Sequence, residues 1–279
     1  MKYHLAYPDI SLAGIGSTQF WSGDTTKAEN CLFEAINTYG ITLVDTAEMY
    51  ANGRCERIVG NVLASFPREK YYLLGKADPR RVQVYGLRKS LLTSLENLKE
   101  DYFDLYLLHW REDVDLVSFV KDVEELKKEG YIKEWGVSNF DIHDMQDLLS
   151  VPNGENCYCN QILYNLMTRG PEYDLLPYLR EHHIMPMAYS SLGSSFVSNK
   201  PVKNNRTIQR ICQENNITPE ALMLSFVHRY GDFPALFSTS SMEHLRSNLD
   251  FDNFDILSYM DEIDREFPSP THAVPLEKL

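Results

Sequence analysis

Short apolar runs alternate with longer stretches of helical periodicity along this chain. Eight runs stand out: "ISLAGIG", "ITLVD", "YYLLGK", "DLYLLH", "KEWGVS", "CYCNQ", "IMPMAY" and "ALFS", beginning near residues 10, 41, 71, 104, 133, 157, 184 and 235. Each is of strand length, and each is followed by polar or turn-forming residues. Between them lie amphipathic stripes. Cys31, Leu32, Ala35, Ile36 and Tyr39 share a helical face, as do Leu87, Leu91, Leu95 and Leu98. Val117, Val120, Val123 and Leu126 form a third stripe that stops at Gly130. A helical pattern also starts at Arg54, and Thr218-Pro219 pairs an N-cap threonine with a first-turn proline.

Eight strand–helix units favour a closed parallel α/β barrel, the (β/α)8 or TIM architecture, over a doubly wound open sheet. The spacing of roughly 30 residues is that of a βα unit and not of a solenoid repeat. The interval after "IMPMAY" is longer and holds the loop "SSLGSSFVSNKPVKNN" and two helical segments. No break in composition divides the 279 residues, so residues 1–279 read as one domain.

Composition narrows the function. Apolar residues make up 43% and charged residues 24%, ordinary for a globular protein. A net charge of −13 lacks the basic footprint of a nucleic-acid binder and disfavours docking on anionic membranes. No run approaches the ~18 apolar residues of a membrane span, and "MKYHLAYPDI" lacks a signal core. The five cysteines suit no disulfide framework, and neither they nor the histidines show metal-site spacing, so a metal-free cytoplasmic protein is expected. Cys157 and Cys159 form C-x-C in a predicted strand, which would place both on one face.

In a parallel barrel the working residues sit at the C-terminal ends of strands. Asp45, Lys76, His109, the pair Ser138 and Asn139, and the pair Asn160 and Gln161 end five of the runs, and Tyr50 follows Asp45 in a short polar loop. Singly, each has an ordinary explanation as a cap, a turn former or a solvated charge. Together they form a set for proton chemistry. A phenol with a pKa near ~10 is a poor acid at neutral pH, and a neighbouring ammonium would lower it. Asp45 would supply the counter-charge a buried Lys76 needs. His109 beside the phenol would orient a carbonyl oxygen. Asp45, Tyr50, Lys76 and His109 therefore suit protonation of an oxygen that becomes an alcohol, a step that wants a hydride donor opposite.

The segments "DTAEMYANGRCERIVG", "LLGK", "LYLLH", "GVSNF", "NQILYNLMTRG" and "AYSSLG" resemble the aldo-keto reductase superfamily, in its order and spacing, from about Ile10 to Phe251. The resemblance implies that Tyr50 is the general acid, that Lys76 and Asp45 tune it, and that His109 positions the carbonyl. It implies a nicotinamide cofactor bound extended across the barrel mouth without a Rossmann fingerprint, and "GIGSTQ" indeed has G-x-G but no third glycine. Ser138, Asn139 and Gln161 match the positions that hold the carboxamide, Tyr189 the aromatic that stacks on the nicotinamide, and Ser190 and Leu192 positions along the pyrophosphate. Thr18, Gln19, Phe20 and Trp21 fall in a first loop that often lines the substrate pocket, and Trp110 follows His109. Core packing accounts for the two tryptophans equally well.

The stretch "FSTSSMEHLRSNL" departs from the family pattern. Phe237 and Ser238 replace proline and glycine, and Arg246 and Ser247 replace two acids. Asn248 is kept at a position resembling the adenine contact. Where many relatives of this kind place lysine and arginine for a 2′-phosphate, this chain offers Ser238, Thr239, Ser240 and His244. Hydroxyls and backbone N–H groups attract phosphate less strongly than arginine does. The expectation is NADP(H) preferred with NAD(H) possible, a small-molecule carbonyl substrate and a reversible carbonyl-to-alcohol reaction. The short tail "PSPTHAVPLEKL" suggests an open site for small or varied carbonyls. A non-catalytic, cofactor-sensing subunit on the same fold is the alternative. A barrel hydrolase would need a second carboxylate near Asp45, and none is evident.

Overall fold

The computed structural model describes residues 1–194 and 197–278. Eight strands close into a parallel barrel: β1 (Ala13–Gly16), β2 (Leu43–Asp45), β3 (Tyr72–Ala77), β4 (Phe103–Leu108), β5 (Ile132–Ser138), β6 (Cys159–Leu163), β7 (Met185–Tyr189) and β8 (Ala235–Phe237). Neighbours in sequence are neighbours in space, and β1 pairs with β8 to close the ring. The strands lie where the apolar runs placed them, and helices fill the intervals. The long interval after β7 holds three helices, Lys200–Asn204, Arg206–Asn215 and Pro219–His228, one more than its pattern suggests. No helix of the described residues is long and apolar enough to cross a membrane.

Helix starts follow capping chemistry. The side chains of Asp24, Asp115, Asp141 and Thr218 each accept a hydrogen bond from a first-turn backbone N–H, and such a cap stabilises by about 1 kcal/mol. Helix Leu87–Leu98 buries Leu87, Leu91, Leu95 and Leu98, the stripe read from the sequence. Helix Leu116–Lys128 departs from its expected face: Val117 is exposed, and Leu116 and Phe119 join Val120, Val123 and Leu126 in the core. With Asp115 as the N-cap the helix is oriented by its first turn, and Leu116 and Phe119 offer more apolar area for burial than Val117.

Two apolar layers result. The larger lies between strands and helices, and the smaller fills the barrel with Ile10, Leu43, Leu74, Leu105, Leu107, Cys159, Met185, Met187 and Leu236. Gly14 makes room for it: a Cβ there would stand 2.7 Å from both Leu43 and Leu236 side chains. The two cysteines of C-x-C do not share a face. Cys157 follows the turn Gly154–Asn156, ahead of β6, and packs in the outer layer, whereas Cys159 faces the interior. The two-residue period holds only within a strand.

Candidate active site

Along each strand the inward positions are two residues apart, and their character changes at the top. Leu43 gives way to Asp45, Leu74 to Lys76, Leu105 and Leu107 to His109, Cys159 to Gln161, and Met185 and Met187 to Tyr189. The apolar members plug the barrel below, and the polar members meet above them.

Lys76 Nζ donates to Asp45 Oδ2 at 2.5 Å, to the Thr46 carbonyl at 3.3 Å and to the Tyr50 hydroxyl at 3.3 Å. Both members of the ion pair are buried. Gln161 Nε2 donates to the same Asp45 oxygen at 3.0 Å. Tyr50 meets the His109 ring edge-on at 5.8 Å between centroids. His109 in turn stacks on Trp110 at 3.8 Å. Tyr50 is presented by a tight turn in which Ala51, Asn52 and Gly53 all take left-handed backbone angles before helix Arg54–Leu63 begins.

Protonation follows from burial. Loss of solvent, followed by the charge of Asp45, pushes the Tyr50 phenol well above its ordinary value. Loss of solvent lowers Lys76, with Asp45 opposing. Burial and then the Lys76 charge push His109 well below its ordinary value. Tyr50 is therefore a loaded phenol and His109 a neutral imidazole at neutral pH. Burial and the Asp45 charge thus act on the phenol in the direction opposite to the Lys76 ammonium. Asp45, 2.5 Å from the ammonium, cancels much of its field at Tyr50, and desolvation outweighs the remainder.

These groups open onto a cavity of about 700 Å³. Asp45, Tyr50 and His109 line it, and Lys76 lies just beneath. Thr18, Gln19, Trp21 and Trp110 line it too, with Trp21 exposed and Trp110 half-buried rather than packed in the core; Phe20 is a core residue. Ser138, Asn139, Gln161, Tyr189, Ser190 and Ser238 add polar lining, with the apolar Leu192 beside them. Asn139 Nδ2 donates to the His109 carbonyl at 3.1 Å, and the Tyr189 hydroxyl donates to Asn139 Oδ1 at 2.6 Å. Asn139 and Ser190 both hold left-handed backbone angles at strand ends. For a residue such as Ser190 this costs on the order of 1 kcal/mol, and Asn165 Nδ2 steadies it with a 3.0 Å bond to the Ser190 carbonyl.

The structure does not bring every predicted residue to the cavity. Thr239 is half-buried, and Ser240 and His244 are exposed beyond its rim; Asn248 is buried at the end of helix Met242–Asn248. Arg246 points elsewhere, its Nε donating to the Tyr39 hydroxyl at 3.0 Å. The C-terminal tail packs Val274 near Gly170 and pairs Lys278 with Asp144, and reaches a smaller depression beside Trp110. Sequence reasoning missed Met49 and Arg80, which also line the cavity. Both follow strand ends closely, β2 and β3, and that position is the signal that could have found them. It also missed buried Glu48, whose Oε1 accepts from Asp78 N at 2.7 Å and so ties the Tyr50 loop to the end of β3.

All five cysteines are free and buried, and burial raises each thiol above its ordinary value, the opposite of a reactive thiolate. No cluster of metal-ligating side chains occurs among the described residues.

Comparison with known proteins agrees with this geometry. The model of the Aldo/keto reductase family matches residues 13–264. Methylglyoxal reductase YeaE of Escherichia coli is 33% identical over 96% of both chains. An NADH-specific methylglyoxal reductase of the same organism is 30% identical over 71% of this chain and 69% of its own. A crystal structure of an aldo/keto reductase from Klebsiella pneumoniae, in complex with NADP and acetate, superposes with a TM-score of 0.94 over the full length of both chains at 32% identity. The chain belongs to the Aldo/keto reductase family.

Proposed function

We propose that this protein reduces aldehydes and ketones to alcohols with NADPH, accepting NADH less readily. The observation that carries the reading is the convergence of a protonated Tyr50, its partner Lys76 3.3 Å away, and neutral His109 at the floor of one cavity. The similarity to methylglyoxal reductases and to a structure holding NADP supports it.

The cavity suits a nicotinamide nucleotide. Its polar side is uncharged apart from Asp45, whose charge Lys76 balances. Ser138, Asn139 and Gln161 would hold the carboxamide, the Tyr189 ring would lie against the pyridine, and Ser190, Leu192 and Ser238 would follow the phosphates outward. Thr239, Ser240 and His244 would meet the adenosine end, with Asn248 beside the adenine. With few cations there, selection for the 2′-phosphate rests on hydroxyls, which is why NADH remains usable. The cofactor, when bound, supplies hydride to the carbonyl carbon.

The chain's residues do the rest. His109, neutral and fixed by Trp110 stacking, orients the carbonyl oxygen toward Tyr50. Tyr50 gives that oxygen its proton and becomes a phenolate. Lys76 Nζ, already within 3.3 Å, stabilises the phenolate as its charge develops, and Asp45 and Gln161 keep the ammonium in place. Burial raises the Tyr50 pKa in the resting protein and keeps the proton loaded; the Lys76 contact offsets that cost when the proton leaves. Nicotinamide-dependent chemistry of this kind, with five reduced thiols, fits the cytoplasm.

Fluorescence titration with NADPH and NADH, then steady-state assay on a carbonyl panel, tests the reading. Turnover should appear, and Tyr50→Phe should lower kcat by about 100-fold or more while leaving cofactor affinity nearly intact. Cofactor binding without turnover on any carbonyl would leave a sensing role instead.

A further inference from the structure

The charged residues that line the cavity, among those described, are Asp45 and Arg80. Asp45 is neutralised by Lys76. Arg80 therefore brings the cavity a positive charge whose facing carboxylate, Glu112 at 3.6 Å, lies outside the cavity lining. It shares with Trp110 both this cavity and the smaller adjoining depression, and Trp110 stacks on His109.

The other cations around this rim are engaged. Arg111 donates to the Val114 carbonyl at 2.5 Å and faces Asp144 and Asp147, each at 3.9 Å. Lys278 pairs with Asp144 at 3.1 Å. Arg81 is held by Glu48 and Asn52. Arg80 is different. Its side chain is 76% exposed, and its ion pair among the described residues is a long one, from Nε to Glu112 Oε1 at 3.6 Å. No described group hydrogen-bonds its terminal nitrogens. A guanidinium with that edge free matches the two oxygens of a carboxylate.

We propose that Arg80 directs this site toward carbonyl compounds that also carry a carboxylate, the anion resting on the guanidinium while the carbonyl meets Tyr50. The proposal rests on the reductase reading and names its substrate class. Glu112 competes for the same guanidinium, so it sets how strongly an anion is favoured.

A matched pair of aldehydes tests this: 4-carboxybenzaldehyde and the neutral methyl 4-formylbenzoate, assayed with saturating NADPH. Arg80→Gln should lower kcat/KM for the carboxylate by about tenfold, mainly through KM, and change the ester by less than about twofold. Arg80→Lys should recover part of the loss, and Glu112→Gln should raise kcat/KM for the carboxylate by about two- to fivefold. Added salt should weaken the wild-type preference and have little effect in Arg80→Gln. Equal effects on both aldehydes, or none on either, would overturn the proposal while leaving the reductase intact. Failure of the wild type to reduce either aldehyde would overturn both readings together.

Discussion

Replacing Glu48 by glutamine should make the protein more stable at pH 8 and leave it almost unchanged at pH 4.5. The glutamate side chain is buried between the Tyr50 loop and the end of β3. Desolvation raises its pKa from 4.5 to about 7, against the Asp78 N–H and Arg81, which favour the charged form. For an acid shifted upward, the folded state holds its proton where the unfolded state has released it. Below pH 4.5 both states are protonated and nothing is lost. As pH rises from 4.5 to about 7 the unfolded chain ionises first, so folding stability declines. Above about pH 7 the loss is complete. The rise corresponds to a few hundred-fold in proton affinity, a ceiling of about 3 kcal/mol. Glutamine keeps the oxygen that accepts from Asp78 and never ionises. The 3.5 Å contact to the partly exposed Arg81 guanidinium is already counted in the raised Glu48 pKa, so its loss is no separate cost. The net gain at pH 8 should therefore be about 1–3 kcal/mol. Urea unfolding of both proteins from pH 4.5 to 8.5 gives the difference directly, and other titrating groups cancel in it. A difference that does not vary with pH, or a glutamine variant less stable at pH 8, would refute the reasoning.

Lys76→Met should cut kcat by about 100-fold or more, because the phenolate left on Tyr50 would lose its partner; an unchanged rate would show that the ammonium plays no part. The same variant strands a buried Asp45 carboxylate, so a loss of roughly 3 kcal/mol in urea stability is expected alongside. Ser238→Lys should tighten NADPH relative to NADH in a fluorescence titration by about tenfold. A fall in NADPH affinity would mean that the phosphate lies away from the cavity's Ser238 end.

Much of the barrel was legible because each strand carries its own punctuation. A run such as "ITLVD" announces both the strand and, at Asp45, its polar end at the cavity. Periodicity was less informative where two faces compete, as in helix Leu116–Lys128, whose buried side includes Leu116 and Phe119 in place of Val117. It failed for Cys157, which sits one residue pair ahead of the strand and follows a turn instead of a pleat. The convergence of Asp45, Lys76 and His109 could be inferred from position alone, but the sign of the Tyr50 shift could not. That sign depends on how dry the site is and on how closely Asp45 cancels Lys76, and both are properties of packing. Arg80 was equally hidden, since a sequence cannot distinguish a guanidinium held by neighbours from one left open.

The apolar plug beneath the polar groups has one further effect. Leu74, Leu105, Met185 and Met187 place an apolar layer in the barrel beneath Lys76 and the polar groups around it. On the proposed mechanism this layer directs proton exchange to the mouth that substrate and product would use. With Tyr50 as the proposed acid, its recharging would be tied to exchange at that opening, and a bulky product that lingers there would delay the return of the proton as well as the next encounter.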